Sequence, residues 1–312
     1  MLIMRRRGWE IAQRFVTPEK LATSRRGLMA GALALSIAPV ARAQTRPGDA
    51  VEAPPLDNKY PPGRAITDEK AATTYNNYYE FSEGKDLWRA AQALPTSPWH
   101  IKIGGMVQKP QEFALDDLLK KVQLEQRVYR HRCVEAWAMT VPWTGFPLSQ
   151  LLKIADPLSS AKYIVFETIQ DKSMPGLDSP FYPWPYIEGL TIDEAGNDLA
   201  FVAAGMYGKE LPKQNGGPIR LVVPWKYGFK SAKAITKVTF TDKRPQTFWE
   251  EIQPSEYGFW ANVNPDVPHP RWSQARERLI GSDEMVPTKI YNGYGEFVAS
   301  LYTGLKSEKL FM

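Results

Sequence analysis

The sequence predicts an α+β fold dominated by sheet, on three observations. Short runs of β-branched and aromatic residues recur along the chain, each closed by Gly, Pro or charged turn residues. Only two stretches repeat apolar residues at helical spacing, and both are short. Between these lie long runs rich in Pro, Trp and Gly, a composition that suits ordered loops better than regular elements.

Taken in order, the first segment is not part of the fold. Residues 27–41 read GLMAGALALSIAPVA without a charge, preceded by Ser24, Arg25 and Arg26 and closed by the small-x-small triplet Ala41-Arg42-Ala43. Such a run is shorter than the roughly 20 apolar residues that a spanning helix needs. Residues 1–43 therefore read as a cleaved export signal. The paired arginines give it the twin-arginine form, the address of proteins exported already folded, although Gly27, Leu28, Met29 and Ala30 follow the Arg-Arg-x-Phe-Leu-Lys pattern only loosely. An ordinary secretory signal is the alternative, since basic residues precede every signal core. Residues 44–66, rich in Pro and Asp with Pro61-Pro62-Gly63, read as an extended, weakly ordered lead-in. Residues 67–312 contain no linker, repeat or low-complexity tract and form one catalytic-sized domain.

Within that domain, Leu115, Leu118, Leu119 and Val122 mark one short amphipathic helix, and Leu148, Leu151, Leu152 and Ala155 another. Strands are expected over 101–107, 163–169, 219–223 and 235–240. Residues 180–189 and 256–270 are expected to be loops.

Composition excludes several functions. The chain has 312 residues, 43% apolar and 12% aromatic, which is neither disordered nor collagenous, and its single cysteine permits no internal disulfide and no four-thiolate zinc site. The formal charge of +5 belongs to the signal: without residues 1–43 the chain has 31 basic and 32 acidic residues, a net charge of −1. Nucleic-acid binding is not indicated. No later apolar stretch reaches membrane length, so the mature chain is expected to be soluble.

Two constellations carry chemistry. Cys133 follows Arg130, His131 and Arg132 in the run YRHRCVEAW, a cationic setting expected to lower its pKa and favour thiolate, the form that ligates a soft metal. A buried, inert cysteine is the alternative, though an unpaired thiol is unusual in an exported protein. The three histidines, His100, His131 and His269, form no HExxH and no pair at metal spacing, and a hydrolase built on Cys133 and His269 has no local signature. The second constellation is QNGGPIR (214–220) followed by PWKYGFKSAK (224–233). Its glycines allow close backbone approach to an anion, and Arg220, Lys230 and Lys233 can neutralise a phosphate. Neither GxGxxG nor a Walker motif is present, so the anion would not be a dinucleotide. Solvated lysines on an edge strand are the plainer alternative.

The segments TTYNNYYEF (73–81), YRHRCVEAW (129–137), VPWTGFPL (141–148), KYIVFET (162–168), NGGPIRLVVPWKYGFKSAK (215–233), EYGFWANVNP and HPRWSQA (256–275) occur in order over nearly the whole mature chain. In these the chain resembles the catalytic molybdopterin subunits of periplasmic protein-methionine-sulfoxide reductases, in the sulfite oxidase superfamily. The resemblance implies a sulfite-oxidase-type molybdopterin-binding fold of mixed sheets, short helices and long ordered loops. It implies a molybdenum-molybdopterin cofactor, one molybdenum per chain, with Cys133 as the metal ligand. Asn76, Tyr79, Glu80, Thr168, Asn215, Arg220, Ser231, Ala232 and Lys233 would hold the pterin. Glu135 would lie at the substrate face as a catalytic acid/base or polar group, or else pair with Arg130 or Arg132. The implied reaction is oxygen-atom transfer from methionine sulfoxide of oxidised periplasmic proteins, with electrons from a haem-containing integral membrane partner fed by the quinone pool. Two aromatic groups, Phe181, Tyr182, Trp184 and Tyr186, and Tyr257, Phe259 and Trp260, could shape the substrate approach or simply pack the core.

Two rivals remain. One is a sulfite oxidase or small-sulfoxide oxidoreductase of the same superfamily, whose sulfite-oxidising members usually carry a C-terminal immunoglobulin-like dimerisation domain of about 100 residues. Only 79 residues follow Lys233, which favours a monomer without that domain. The other rival is an exported anion-binding protein without a redox cofactor, in which Cys133 is inert.

Overall fold

The computed structural model describes residues 54–57 and 59–311, all within one compact unit, Pro47–Met312. The expected export signal lies outside the described residues. In chain order the strands are β1 (Leu56–Asp57), β2 (His100–Gly105), β3 (Gln111–Ala114), β4 (Glu125–Arg132), β5 (Trp137–Pro147), β6 (Tyr163–Thr168), β7 (Ile187–Thr191), β8 (Phe201–Met206), β9 (Lys209–Glu210), β10 (Arg220–Val222), β11 (Ile235–Thr241), β12 (Arg276–Leu279) and β13 (Met285–Pro287). The α-helices are short: α1 (Glu69–Thr74), α2 (Leu115–Leu119), α3 (Leu148–Ala155), α4 (Ile192–Gly196), α5 (Phe248–Ile252) and α6 (Gly295–Val298). None among the described residues is long and apolar enough to cross a membrane.

Two mixed sheets organise these elements, in keeping with the α+β class. One runs β1-β4-β5-β12-β13, with β8 also pairing to β5 and carrying β10 and β9. The other runs β3-β2-β11-β6-β7. Most neighbours are antiparallel, but β1 with β4, β5 with β12, and β2 with β11 are parallel. Strand β5 is buried along its whole length, so its sequence is mostly apolar, interrupted only by Thr140, Thr144 and Gly145, with no strict alternation. Gly145 lets β8 close on it: a Cβ there would lie 2.0 Å from the Val202 carbonyl oxygen, beside the register shift between Thr144 and Gly145.

The expected strands appear with ends shifted by one or two residues. The 115–122 helix stops at Leu119, and residues 187–189, expected as loop, belong to β7. The β4–β5 hairpin was not legible as strands because β4, EQRVYRHR, is mostly polar. Its arginines are buried by specific partners: Arg127 pairs with Glu125 and Asp198, and Arg132 with Glu277. The lead-in is also not weakly ordered where it is described. The buried Tyr60 donates to Asp198 at 2.6 Å, and Arg64 donates to Thr140 at 2.7 Å and pairs with Glu277. Beyond β11 no separate sheet forms among the described residues, since β12 and β13 extend the first sheet.

Candidate active site

The connection from β4 to β5 carries the chain's only cysteine. It is a tight turn: the Cys133 amide donates to the Trp137 carbonyl at 2.9 Å, and the Ala136 amide to the Cys133 carbonyl at 3.1 Å. Ala136 sits at φ 61, in the left-handed region that side chains other than glycine rarely adopt. Such a turn needs external support, and residues 272–277 supply it. Trp272 Nε1 and Gln274 Nε2 both donate to the Val134 carbonyl, each at 2.8 Å. The Arg132 guanidinium donates to Glu277 and Gln274 Oε1, each at 2.8 Å, and to the Cys133 carbonyl.

The cationic flank expected to activate Cys133 does not act that way. Alternation along β4 sends His131 to the cavity side and Arg130 and Arg132 elsewhere: Arg130 donates to the carbonyls of Pro62 and Asn292, and Arg132 is neutralised by Glu277. Burial, with Arg220 and Lys233 adding to it, holds His131 neutral at about 3. Burial, reinforced by Glu135, pushes the Cys133 thiol up to about 12. This sulfur becomes a thiolate only beside a cation stronger than its side-chain neighbours, which is what a metal ion provides.

Cys133 faces a cavity that is partly open to solvent. Of the residues singled out in the sequence, Asn76, Tyr79, Glu80, Cys133, Glu135, Asn215, Arg220, Ser231, Ala232 and Lys233 all line it. Thr168 does not. It ends β6 and reaches the site through Glu80, donating to Oε1 at 3.4 Å.

The cavity is strongly cationic at one end. Arg220, on β10, is 2% exposed and donates only to carbonyls: Asn215 at 2.7 Å, Ser231 at 3.1 Å and Leu221 at 3.2 Å. Lys233 donates to the carbonyls of Asn77 and Gln214. Gly216, at φ 102, allows that approach, for a Cβ there would lie 2.6 Å from the Lys233 side chain. Among the described residues neither cation makes an ion pair. Burial lowers Arg220 to about 10, and burial together with Arg220 pushes the Lys233 amine down while burial pushes the Glu80 carboxyl up. Lys230, also expected to face the anion, points elsewhere: it is fully buried in an ion pair with Glu188.

Glu135 occupies the sulfur end. Its Oε2 lies 3.7 Å from Cys133 Sγ and accepts from Asn77 Nδ2 and Trp137 Nε1, each at 2.9 Å, while Oε1 accepts from Lys85 Nζ at 2.8 Å. Burial pushes this carboxyl up, but the three donors outweigh it and hold the group below its ordinary value. The partner is therefore Lys85, not Arg130 or Arg132. Lys85 and Asn77 were missed in the sequence. Asn77 lies within the NNYYE run beside Asn76, whereas Lys85 carries no motif.

Whether a pterin and a metal fit can be tested on atoms left without partners. Asn76 Oδ1, Asn77 Oδ1, Tyr78 OH and Asn215 Oδ1 are buried and unbonded, and all four residues line this one cavity. Buried polar atoms ordinarily find partners. Unpaired amide oxygens and a hydroxyl, an arginine and a lysine in no ion pair among the described residues, and a thiol form a set of groups suited to a polar heterocycle, its phosphate and a soft metal.

The aromatic groups divide. Tyr186 and Tyr257 line the cavity, joined by Phe229 and Trp249, while Phe259 and Trp260 are buried outside it. Tyr182 packs against Tyr79 and Trp249, with ring centroids 5.9 and 6.5 Å away, and Trp184 packs on Phe248.

Comparison with known proteins agrees with this arrangement. The oxidoreductase molybdopterin binding domain family matches residues 90–249. The chain is 50% identical over 321 aligned positions to the protein-methionine-sulfoxide reductase catalytic subunit MsrP of Pseudomonas syringae pv. tomato, covering 94% of this chain and 95% of that one. It is 50% identical over 265 positions to the subunit of the same name from Burkholderia mallei, covering 83% and 80%. For that of Xanthomonas axonopodis pv. citri the identity is 47% over 309 positions, covering 95% and 96%.

Proposed function

Because the chain belongs to the family of protein-methionine-sulfoxide reductase catalytic subunits, we propose that it reduces methionine sulfoxide in oxidised periplasmic proteins at a molybdenum-molybdopterin centre. The observation that carries this reading is the buried Arg220 with the half-buried Lys233, neither in an ion pair among the described residues, in the cavity that also holds the only cysteine.

In this reading Cys133 ligates the metal, one molybdenum per chain, since no second thiol exists. Arg220 and Lys233 hold the phosphate, and Asn76, Tyr79, Asn215, Ser231 and Ala232 hold the pterin, with Glu80 fixed by Thr168. When bound, the group supplies the two-electron redox chemistry that removes oxygen from a sulfoxide sulfur. The chain's own residues set the conditions. Asn77, Lys85 and Trp137 keep Glu135 ionised, so its Oε2 presents a proton-accepting oxygen beside the sulfur end. Tyr186, Phe229, Trp249 and Tyr257 give the cavity an aromatic wall suited to a thioether.

The chain would act as a soluble, monomeric catalytic subunit in the periplasm, reached by twin-arginine export. The Ser24-Arg25-Arg26 run before the uncharged segment supports that route. Its electrons would come from a haem-containing, quinone-linked membrane partner. The relatives' description as a catalytic subunit supports a division of labour with a second chain.

Metal analysis of the full chain produced with its own signal, wild type beside Cys133→Ser, tests the reading, paired with oxidation of reduced viologen by methionine sulfoxide. About one molybdenum per chain is expected, with metal or turnover lost in the variant. Well-folded wild type without molybdenum, from a host that makes molybdopterin, would overturn it in favour of an anion-binding protein.

A further inference from the structure

The three histidines differ in what their rings meet. His100 lies exposed at the start of β2, and His269 packs among its own partners: Nδ1 accepts from the Arg271 amide at 3.2 Å and Nε2 lies 3.3 Å from Glu256 Oε2. His131, two residues before Cys133, is buried and lines the same cavity, yet its imidazole makes no hydrogen bond to any described residue. Its ring neighbour is Trp137, with centroids 5.9 Å apart, and Trp137 donates to Glu135 at the sulfur end. On another side the backbone comes close, for a Cβ at Gly228 would lie 2.6 Å from His131 Nε2. Arg220 and Lys233, near enough to oppose its protonation, mark the cationic end. His131 thus stands between the two ends of the cavity. Pairing of its backbone with Met139 on β5 fixes it there, as precise placement of a ligand-binding group requires.

We propose that His131 is a cofactor-contacting residue whose imidazole hydrogen-bonds the pterin of the molybdenum group. The inference rests on the reductase reading of the cavity. Buried polar groups ordinarily find partners, and a neutral imidazole has one donor and one acceptor to place. His131 has placed neither among the described residues. The chemistry of the occupant follows from using both. An ionised phosphate only accepts, so it would leave the imidazole acceptor unpaired, and Arg220 and Lys233 already serve it. A sulfoxide oxygen also only accepts, and among the described residues none of the aromatics Tyr186, Phe229, Trp249 and Tyr257 packs on this ring. A heterocycle edged with ring nitrogens and N–H groups, as a pterin is, offers a donor and an acceptor together.

The test uses the full chain isolated with molybdopterin and, from a host that cannot make the cofactor, without it. His131→Leu keeps the volume and removes both nitrogens, while His131→Asn and His131→Gln return an amide at the depth of Nδ1 and Nε2 respectively. Two quantities are read: release of the pterin in a fixed, sub-denaturing urea concentration, followed by the fluorescence of its oxidised form, and Tm with and without cofactor. His131→Leu should release the pterin about tenfold faster, equivalent to about 1.4 kcal/mol or one buried hydrogen bond, and narrow the gap between the two melting temperatures. Its cofactor-free form should melt no lower than wild type, because an apolar group replaces an unpaired polar one. One of the two amide variants should bring release back to within about twofold of wild type. A cofactor-free Tm that falls together with the loaded one would mark a purely structural residue and overturn the proposal, as would unchanged release or rescue by neither amide. Failure of the reductase reading looks different: wild type from a competent host would contain no molybdopterin, which would sink that reading and this inference with it.

Discussion

The Cys133 turn is held from outside by two donors on one acceptor, which makes its support measurable. Trp272→Phe keeps a ring in the stack on His269, where the centroids are 3.7 Å apart, and removes one N–H from the Val134 carbonyl. Gln274 still satisfies that oxygen, so the loss is an ordinary net hydrogen bond, about 1 kcal/mol. For a domain of this size that is roughly 2–4 °C in Tm. Gln274→Leu likewise leaves Trp272 on the carbonyl but also removes the acceptor for Arg132. The double variant strips the carbonyl of both side-chain donors, and the desolvation penalty of about 1–3 kcal/mol appears only then. The Arg132 contribution is common to the Gln274→Leu single and double variants and cancels, so the cycle isolates the shared carbonyl. Thermal or urea unfolding of the four forms should show the double variant less stable than the sum of the singles by about 1–2 kcal/mol, and its molybdenum content should fall furthest. Additivity to within about 0.3 kcal/mol would refute the argument that Val134 is the point through which residues 272–274 brace Cys133.

Two further outcomes follow from buried charge. Anion binding at Arg220 should stabilise the cofactor-free chain: pyrophosphate at ten times its Kd contributes about 1.4 kcal/mol, or roughly 3–5 °C in Tm, and Arg220→Met should abolish the shift, which a thermal melt reads directly. Glu188 is pushed up to about 7 by burial, against the pull of Lys230, so its folded value exceeds its ordinary one. Its contribution to stability is therefore full below pH 4.5 and is lost as pH rises through 7, on the order of 3 kcal/mol. Unfolding measured from pH 4 to 8 should show that loss, and Glu188→Gln should flatten it; an unchanged slope would count against the assignment.

The sequence exposed the site where residue type alone decides chemistry. A single cysteine, the glycine-bracketed Arg220 and the NNYYE run all converge on one cavity. It misled where orientation decides. Arg130 and Arg132 are adjacent to Cys133 in the chain, but strand alternation turns them from the cavity, and alternation could be applied only once β4 was known to be a strand. Lys230 and Lys233 are equally basic, and nothing local reveals that one is committed to Glu188 on β7 while the other is left for a ligand. Lys85, Trp272 and Gln274 act across long stretches of chain through one hydrogen bond or two, a relation with no spacing to read.

The same charges bear on the order of assembly. A folded chain without its anion keeps Arg220 buried with carbonyl partners only, and a buried cation without a counter-ion destabilises the state that contains it. An anionic group bound there removes that penalty, so its binding free energy becomes folding free energy in part. In the proposed reading the thiol points the same way: burial pushes it up to about 12, so a metal cation held there would have to displace its proton, and deprotonation of Cys133 would be linked to loading. A chain stabilised in this way is best completed where the cofactor is made and moved afterwards as a folded, loaded unit. That sequence of events would give a physical reason for the twin-arginine export proposed above, and it predicts that the cofactor-free chain is the less stable form.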